Sequence, residues 1–120
     1  MINAEFEKLI EKRPNIEINN FSIDMNEIKY GVVFMFSSWR PSTVQLRNLI
    51  SSLENFPDLA LYIFDIDEDK FYDFKKKNML YSDGWGETFW IKNGKIIADL
   101  KKYNSQSIKD LIRNNVNVIN

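Results

Sequence analysis

The sequence predicts an α/β fold with a mixed central sheet and helices on both faces, and two stretches carry that prediction. In the first, the apolar run Val32 to Phe36 leads into a helical stripe, Leu46, Leu49, Ile50 and Leu53, and on to a second apolar run, Leu59 to Ile66. Strands without polar alternation are covered on both faces, and a helix between two of them joins them as parallel neighbours through a right-handed crossover. In the second stretch, Thr88 to Ile91 and Lys95 to Leu100 flank Asn93-Gly94. Both turn residues are at ease with φ > 0, which makes this pair an antiparallel hairpin.

The other elements follow in order. Ile2, Phe6, Leu9 and Ile10 recur at helical spacing, and Pro14 stops that helix. Ile16 and Ile18 alternate with Glu17 and Asn19 as a short half-buried strand. Asp24 to Tyr30 reads as a short helix before Gly31. Pro41 suits the first turn of the next helix, where its preset φ fits and its missing N–H costs nothing. Asp67 or Glu68 opens a third helix with Phe71 and Phe74 facing inward. Ser105 caps the last helix, whose buried face is read as Ile108, Leu111 and Ile112. The 120 residues contain no repeat, low-complexity tract or linker, so residues 1–120 form a single domain.

Composition narrows the function. With 44% hydrophobic and 14% aromatic residues the chain has the makings of a real core. Sixteen basic and 17 acidic side chains leave a net charge of −1, too balanced to gather nucleic-acid phosphates. Lys75-Lys76-Lys77 closes a helix, where cations complement the dipole. No segment has the ~20 apolar residues that span a bilayer, and the N-terminus lacks a secretory hydrophobic run, so no membrane association and a cytoplasmic location are expected. Abundant Asn, Ile and Lys with few Ala and Gly suit an A·T-rich, bacterial coding sequence. The chain has no histidine, the commonest metal ligand and near-neutral base, and no cysteine.

The missing cysteines matter because of where they are missing. A strand running into Trp39-Arg40-Pro41-Ser42-Thr43 at a helix start resembles the W-C-x-x-C unit of thioredoxins, with Arg40 and Thr43 at the cysteine positions. LYIFDIDED is similar to that family's acidic strand end, and TFWIKNGKII to its hairpin. The resemblance implies a thioredoxin-like fold with an extra N-terminal helix. It also implies what has gone. Phe34 stands where the family buries an acid, and Gly86-Glu87 stand where it carries a cis-proline, after a loop, Met79 to Gly86, that is longer than usual. Phe34 is expected to be fully buried among apolar neighbours, and disulfide exchange is excluded.

Other chemistries find weak support. Asp65, Asp67, Glu68, Asp69 and Asp73 resemble a calcium loop, but Lys70 stands where its glycine is required and Lys76 where its bidentate glutamate is required. Acids around a helix start serve the dipole instead, and no metal or cofactor is expected. Gly84 and Gly86 lack the G-K-[ST] of a phosphate loop. In the thioredoxin arrangement the start of the second helix faces the loop before the hairpin across a peptide-binding groove. Here those segments carry Trp39, Arg40, Pro41, Tyr81, Trp85 and Glu87. Tryptophan and arginine are frequent interface anchors, so the expected function is non-catalytic binding of a protein partner there, as an adaptor, chaperone-like or immunity-type protein. One alternative is a non-redox transferase or an anion- or thiol-ligand-binding enzyme using Ser37, Ser38, Ser42 and Thr43. Another is a self-associating subunit, homo-oligomerisation being possible. Arg40 and Glu87 are further expected to form an ion pair that closes the groove.

Overall fold

Val32 to Met35 are wholly removed from solvent because they lie at the centre of the sheet. The computed structural model describes residues 4–11, 13–101 and 107–120. Their elements are α1 (Ala4–Glu11), β1 (Ile16–Ile18), a 3₁₀ turn (Met25–Glu27), β2 (Tyr30–Phe36), α2 (Arg40–Ser52) and β3 (Ala60–Asp65). There follow α3 (Phe71–Lys77), β4 (Thr88–Lys92), β5 (Lys95–Leu100) and α4 (Ser107–Ile119). The sheet order is β1-β3-β2-β4-β5. As the sequence predicts, β2 and β3 are parallel neighbours, with Val32 opposite Leu61 and Phe34 opposite Ile63. β4 runs antiparallel to both β2 and β5.

Strand alternation sends Val32, Phe34 and Phe36 to one face, under α1, α2 and α4, with Phe6, Leu49, Trp90 and Leu111. Val33 and Met35 go to the other, with Met25, Phe64, Phe71 and Phe74. The hairpin turn has φ of 52° at Asn93 and 78° at Gly94. It docks on the segment before β2: Asn93 N–H donates to Lys29 O at 2.6 Å and Gly94 N–H to Ile28 O at 2.8 Å. A Cβ on Gly94 would sit 2.5 Å from the Asn26 carbonyl oxygen, so glycine is required by contact as well as by φ.

Three expectations need correction. The helix read over Asp24–Tyr30 is a single 3₁₀ turn, capped by Asp24, whose Oδ1 accepts the Asn26 N–H at 2.9 Å. Met25 and Ile28, three residues apart, are both buried, as the eclipsed i and i+3 positions of a 3₁₀ turn allow. α3 opens at Phe71 rather than Asp67 or Glu68, because Asp65 takes the N–H groups of both: Asp67 at its Oδ1 (2.9 Å) and Glu68 at its carbonyl (3.1 Å). Phe71 and Phe74 do face inward.

The third correction is the largest. Leu111 is buried, but Ile108 and Ile112 are exposed, and Asn114, Asn115 and Val118 fill the inward face of α4 instead. Asn115 is accommodated because it is fully used: its Oδ1 accepts Trp90 Nε1–H at 2.8 Å, and its Nδ2 donates to Ser52 O and Oγ at 3.1 and 3.2 Å. A buried amide with its partners in place ties α4 to β4 and α2. Ile2 and the Ser105 cap lie outside the described residues. Arg13 is a second buried tie, donating to Phe56 O at 2.9 Å and Leu59 O at 2.5 Å, and burial lowers its pKa from the ordinary arginine value.

Candidate functional site

The predicted site residues converge where β2 ends, α2 begins and the loop before β4 returns. Trp39 precedes α2 with extended backbone and no side-chain cap, and Pro41 sits in the first turn, as its sequence position requires. Hydroxyls knit the corner. Ser37 N–H donates to Ser42 Oγ at 3.0 Å, and Ser37 Oγ donates to Gly84 O at 2.9 Å while accepting the Trp39 N–H at 3.3 Å. Ser37 and Ser42 are buried and hold the backbone together.

The opposing loop turns on two glycines in the left-handed region, Gly84 (φ 87°) and Gly86 (φ 83°). It is braced from inside by Glu87, which is 1% exposed. Ser82 Oγ donates to Glu87 Oε1 at 2.6 Å, and the Asp83 N–H donates to Oε2 at 2.5 Å. Gly84 N–H in turn donates to Ser82 Oγ at 3.2 Å. Glu87 therefore lies beneath the loop rather than on the binding face expected of it. Both its carboxylate oxygens accept bonds from its own loop. The Arg40 side chain lies outside the described residues, and so does the ion pair expected of it.

Phe34 is fully buried, as expected, directly below Gly86: a Cβ on that glycine would stand 3.0 Å from Phe34 Cζ. Its surroundings are not purely apolar. Gln45 Oε1 lies 3.2 Å from the same point, buried and without a hydrogen-bond partner. Above this floor the aromatics meet. The Trp39 and Trp85 rings pack with centroids 4.5 Å apart, tilted by 58°. Trp39 remains 48% exposed, so the pair faces solvent, and Tyr81, four residues before Trp85 on the same loop, is 49% exposed. Tyr81 O–H donates to Asp83 Oδ2 at 2.8 Å, and Lys101 Nζ sits 5.4 Å from the Tyr81 ring centroid. That hydrogen bond, then the negative charges of Asp83 and Glu87, raise the Tyr81 pKa above the ordinary phenol value.

Solved structures share this framework. Thioredoxin O2 from Arabidopsis thaliana, in its oxidized state, superposes with a TM-score of 0.66 at 15% identity, over 82% of this chain and 92% of that one. Plasmodium falciparum thioredoxin gives 0.63 at 18% identity over 82% and 96%. Spinach chloroplast thioredoxin f gives 0.64 at 12% identity over 85% and 94%. The chain has the thioredoxin fold. No family model and no curated protein matches the sequence. With no cysteine in the chain, this thioredoxin fold has no thiol of its own for disulfide exchange.

Sequence reasoning singled out Trp39 and Trp85, which the structure packs together, and Tyr81, which lies on the same loop as Trp85. It missed the Ser37–Gly84 bond, the Ser82–Glu87 brace and buried Gln45. Gln45 is one of several polar residues around the Leu46–Leu49 stripe, with Thr43, Arg47 and Asn48, so its type does not mark it as buried, and long-range hydroxyl bonds leave no spacing to read.

Proposed function

We propose that this chain is a non-catalytic thioredoxin-fold protein that binds another protein at the rim formed by Trp39, Tyr81 and Trp85, with Arg40 and Pro41 beside it. Glu87 serves the site from beneath by fixing the loop, and the bacterial cytoplasm is the setting this reading assigns. The observation that carries it is the packed Trp39–Trp85 pair, solvent-facing and contributed by two segments that hydrogen bonds lock together. Large aromatics held in one geometry lose little entropy on binding, which makes them effective anchors. Of the four hydroxyls a transferase would draw on, those of the buried Ser37 and Ser42 are engaged with the backbone, which leaves Ser38 and Thr43 and favours binding over group transfer.

The test is a photo-reactive side chain at position 81 in protein expressed in its source cells. One protein should be captured in high yield, and replacing Trp39 and Trp85 by Ala, with folding checked by circular dichroism, should abolish the adduct. Capture that survives loss of both tryptophans refutes the site.

A further inference from the structure

The most exposed apolar side chain among the described residues also stands on strained backbone. Met79 is 90% exposed and has φ of 55°, directly after the cap of α3, where glycine or asparagine usually ends a helix. The backbone there closes the helix properly: Met79 N–H donates to Lys76 O at 3.3 Å, and Leu80 N–H to Lys75 O at 2.8 Å. That closure needs a left-handed residue but no long thioether. A strained, exposed outlier of this kind points to a use for the side chain.

Met79 lines a cavity of about 360 Å³ between the end of α3 and the β4–β5 hairpin. Buried Met25 and Ile91 and the half-exposed Ile96 line it as well. So do Lys77 and Lys95, and among the described residues no carboxylate does. Neither lysine has an ion-pair partner among those residues. Lys75 and Lys76 lie 5.5 and 5.1 Å from the Tyr72 ring centroid, a contact that Lys77 does not share. Lys95 stands directly across the hairpin from Lys92, and like charges placed so repel. The cavity thus joins an apolar lining to unbalanced positive charge.

We infer that this cavity binds a small amphipathic anion, a short aliphatic chain ending in a carboxylate. The carboxylate lies between Lys77 and Lys95 and supplies the negative charge they lack. The chain lies against Met25, Ile91, Ile96 and Met79, whose flexible thioether closes over it. The volume is at the small end of the ~300–1,000 Å³ that small-molecule sites span, which suits such a ligand. The hairpin turn packs on Ile28 and Lys29 before β2 proper, whereas Trp39 follows the end of that strand, so this site is separate from the tryptophan corner.

Calorimetric titration of the full chain with sodium octanoate at neutral pH tests it. Saturable binding at one site is expected. Octanol, which lacks the charge, and acetate, which lacks the chain, should each bind about tenfold more weakly or less. Lys77 and Lys95 are exposed, so replacing both by Gln should leave folding intact by circular dichroism and weaken octanoate about tenfold. Met79→Gly suits the left-handed backbone and should fold at least as stably, yet bind octanoate more weakly. In NMR spectra the Met25 and Met79 methyl signals should move with octanoate, and that of the fully buried Met35 should not. Absence of saturable binding, equal affinity for octanol, or unchanged affinity in the double lysine variant or in Met79→Gly overturns the proposal. So do shifts of the Trp39 and Trp85 indole signals in place of Met79.

Discussion

Phe34→Asp returns to the centre of the sheet the acid that the thioredoxin resemblance places there, and the structure predicts that this chain cannot hold it. Phe34 has no solvent exposure and is wedged beneath Gly86. Removing a buried phenyl ring costs about 3–5 kcal/mol. Burying a carboxyl without a partner adds about 1–3 kcal/mol. Burial raises a carboxyl pKa, by about 3 units for a fully enclosed group, and each unit is worth about 1.4 kcal/mol once the solution pH lies above the raised value. The sum at pH 7 is about 8–12 kcal/mol. At roughly 0.05–0.15 kcal/mol per residue, a chain of 120 residues has about 6–18 kcal/mol in total. The variant should be largely unfolded at pH 7.

The sign of its pH dependence follows. The ionisation penalty is absent below the unfolded-state pKa of about 3.9 and grows as pH rises toward the raised folded-state value. Relative to the parent, Phe34→Asp should thus be less destabilised at pH 4 than at pH 7. Phe34→Leu, which keeps most of the apolar volume, should lose only about 1–2 kcal/mol at either pH. Urea unfolding of all three proteins at both pH values is the assay. An unchanged midpoint for Phe34→Asp at pH 7, or the same loss at both pH values, would refute the reasoning.

Asn115→Ala strands the buried Trp90 Nε1–H and should cost about 2–4 kcal/mol by denaturant unfolding; adding Trp90→Phe should recover part of that, since no donor is then left unpaired. Glu87→Ala removes both bonds bracing the loop and should cost about 1–3 kcal/mol, with faster amide exchange at Asp83 and Gly84 and red-shifted tryptophan emission as Trp39 and Trp85 separate. Glu87→Gln, able to keep one acceptor, should lose less on each measure. In a spectroscopic alkaline titration Tyr81 should ionise later than a free phenol, and Asp83→Asn should bring it back. Its raised folded-state pKa means that whatever stability the Tyr81–Asp83 bond provides is intact below pH ~10 and lost as pH climbs through the folded-state value.

The architecture was legible because its signals are local. Apolar runs at Val32–Phe36 and Leu59–Ile66 mark central strands whatever surrounds them, and Asn93-Gly94 specifies its turn from backbone preference alone. The 3₁₀ turn before β2 was less legible, since Met25 and Ile28 satisfy an α-helical and a 3₁₀ spacing nearly equally. Helix α4 misled for a related reason. Ile108, Leu111 and Ile112 make a proper amphipathic stripe, and only the presence of Trp90 and Ser52 as partners turns Asn115 inward and Ile112 outward.

By itself, then, the sequence determined the order of the main strands and helices, the hairpin, the loss of thiol chemistry and the two segments that carry Trp39 and Trp85. Each rests on residue identity or on neighbours within a few positions. Tertiary structure alone decided how those residues are used. It turned Glu87 under its loop and put Ser37 and Ser42 to work on the backbone. It packed Trp39 against Trp85, and it left the aliphatic row of α4 on the surface. These outcomes depend on contacts between segments tens of residues apart, where hydrogen-bond geometry and the space left by packing choose among side-chain orientations that the sequence permits equally.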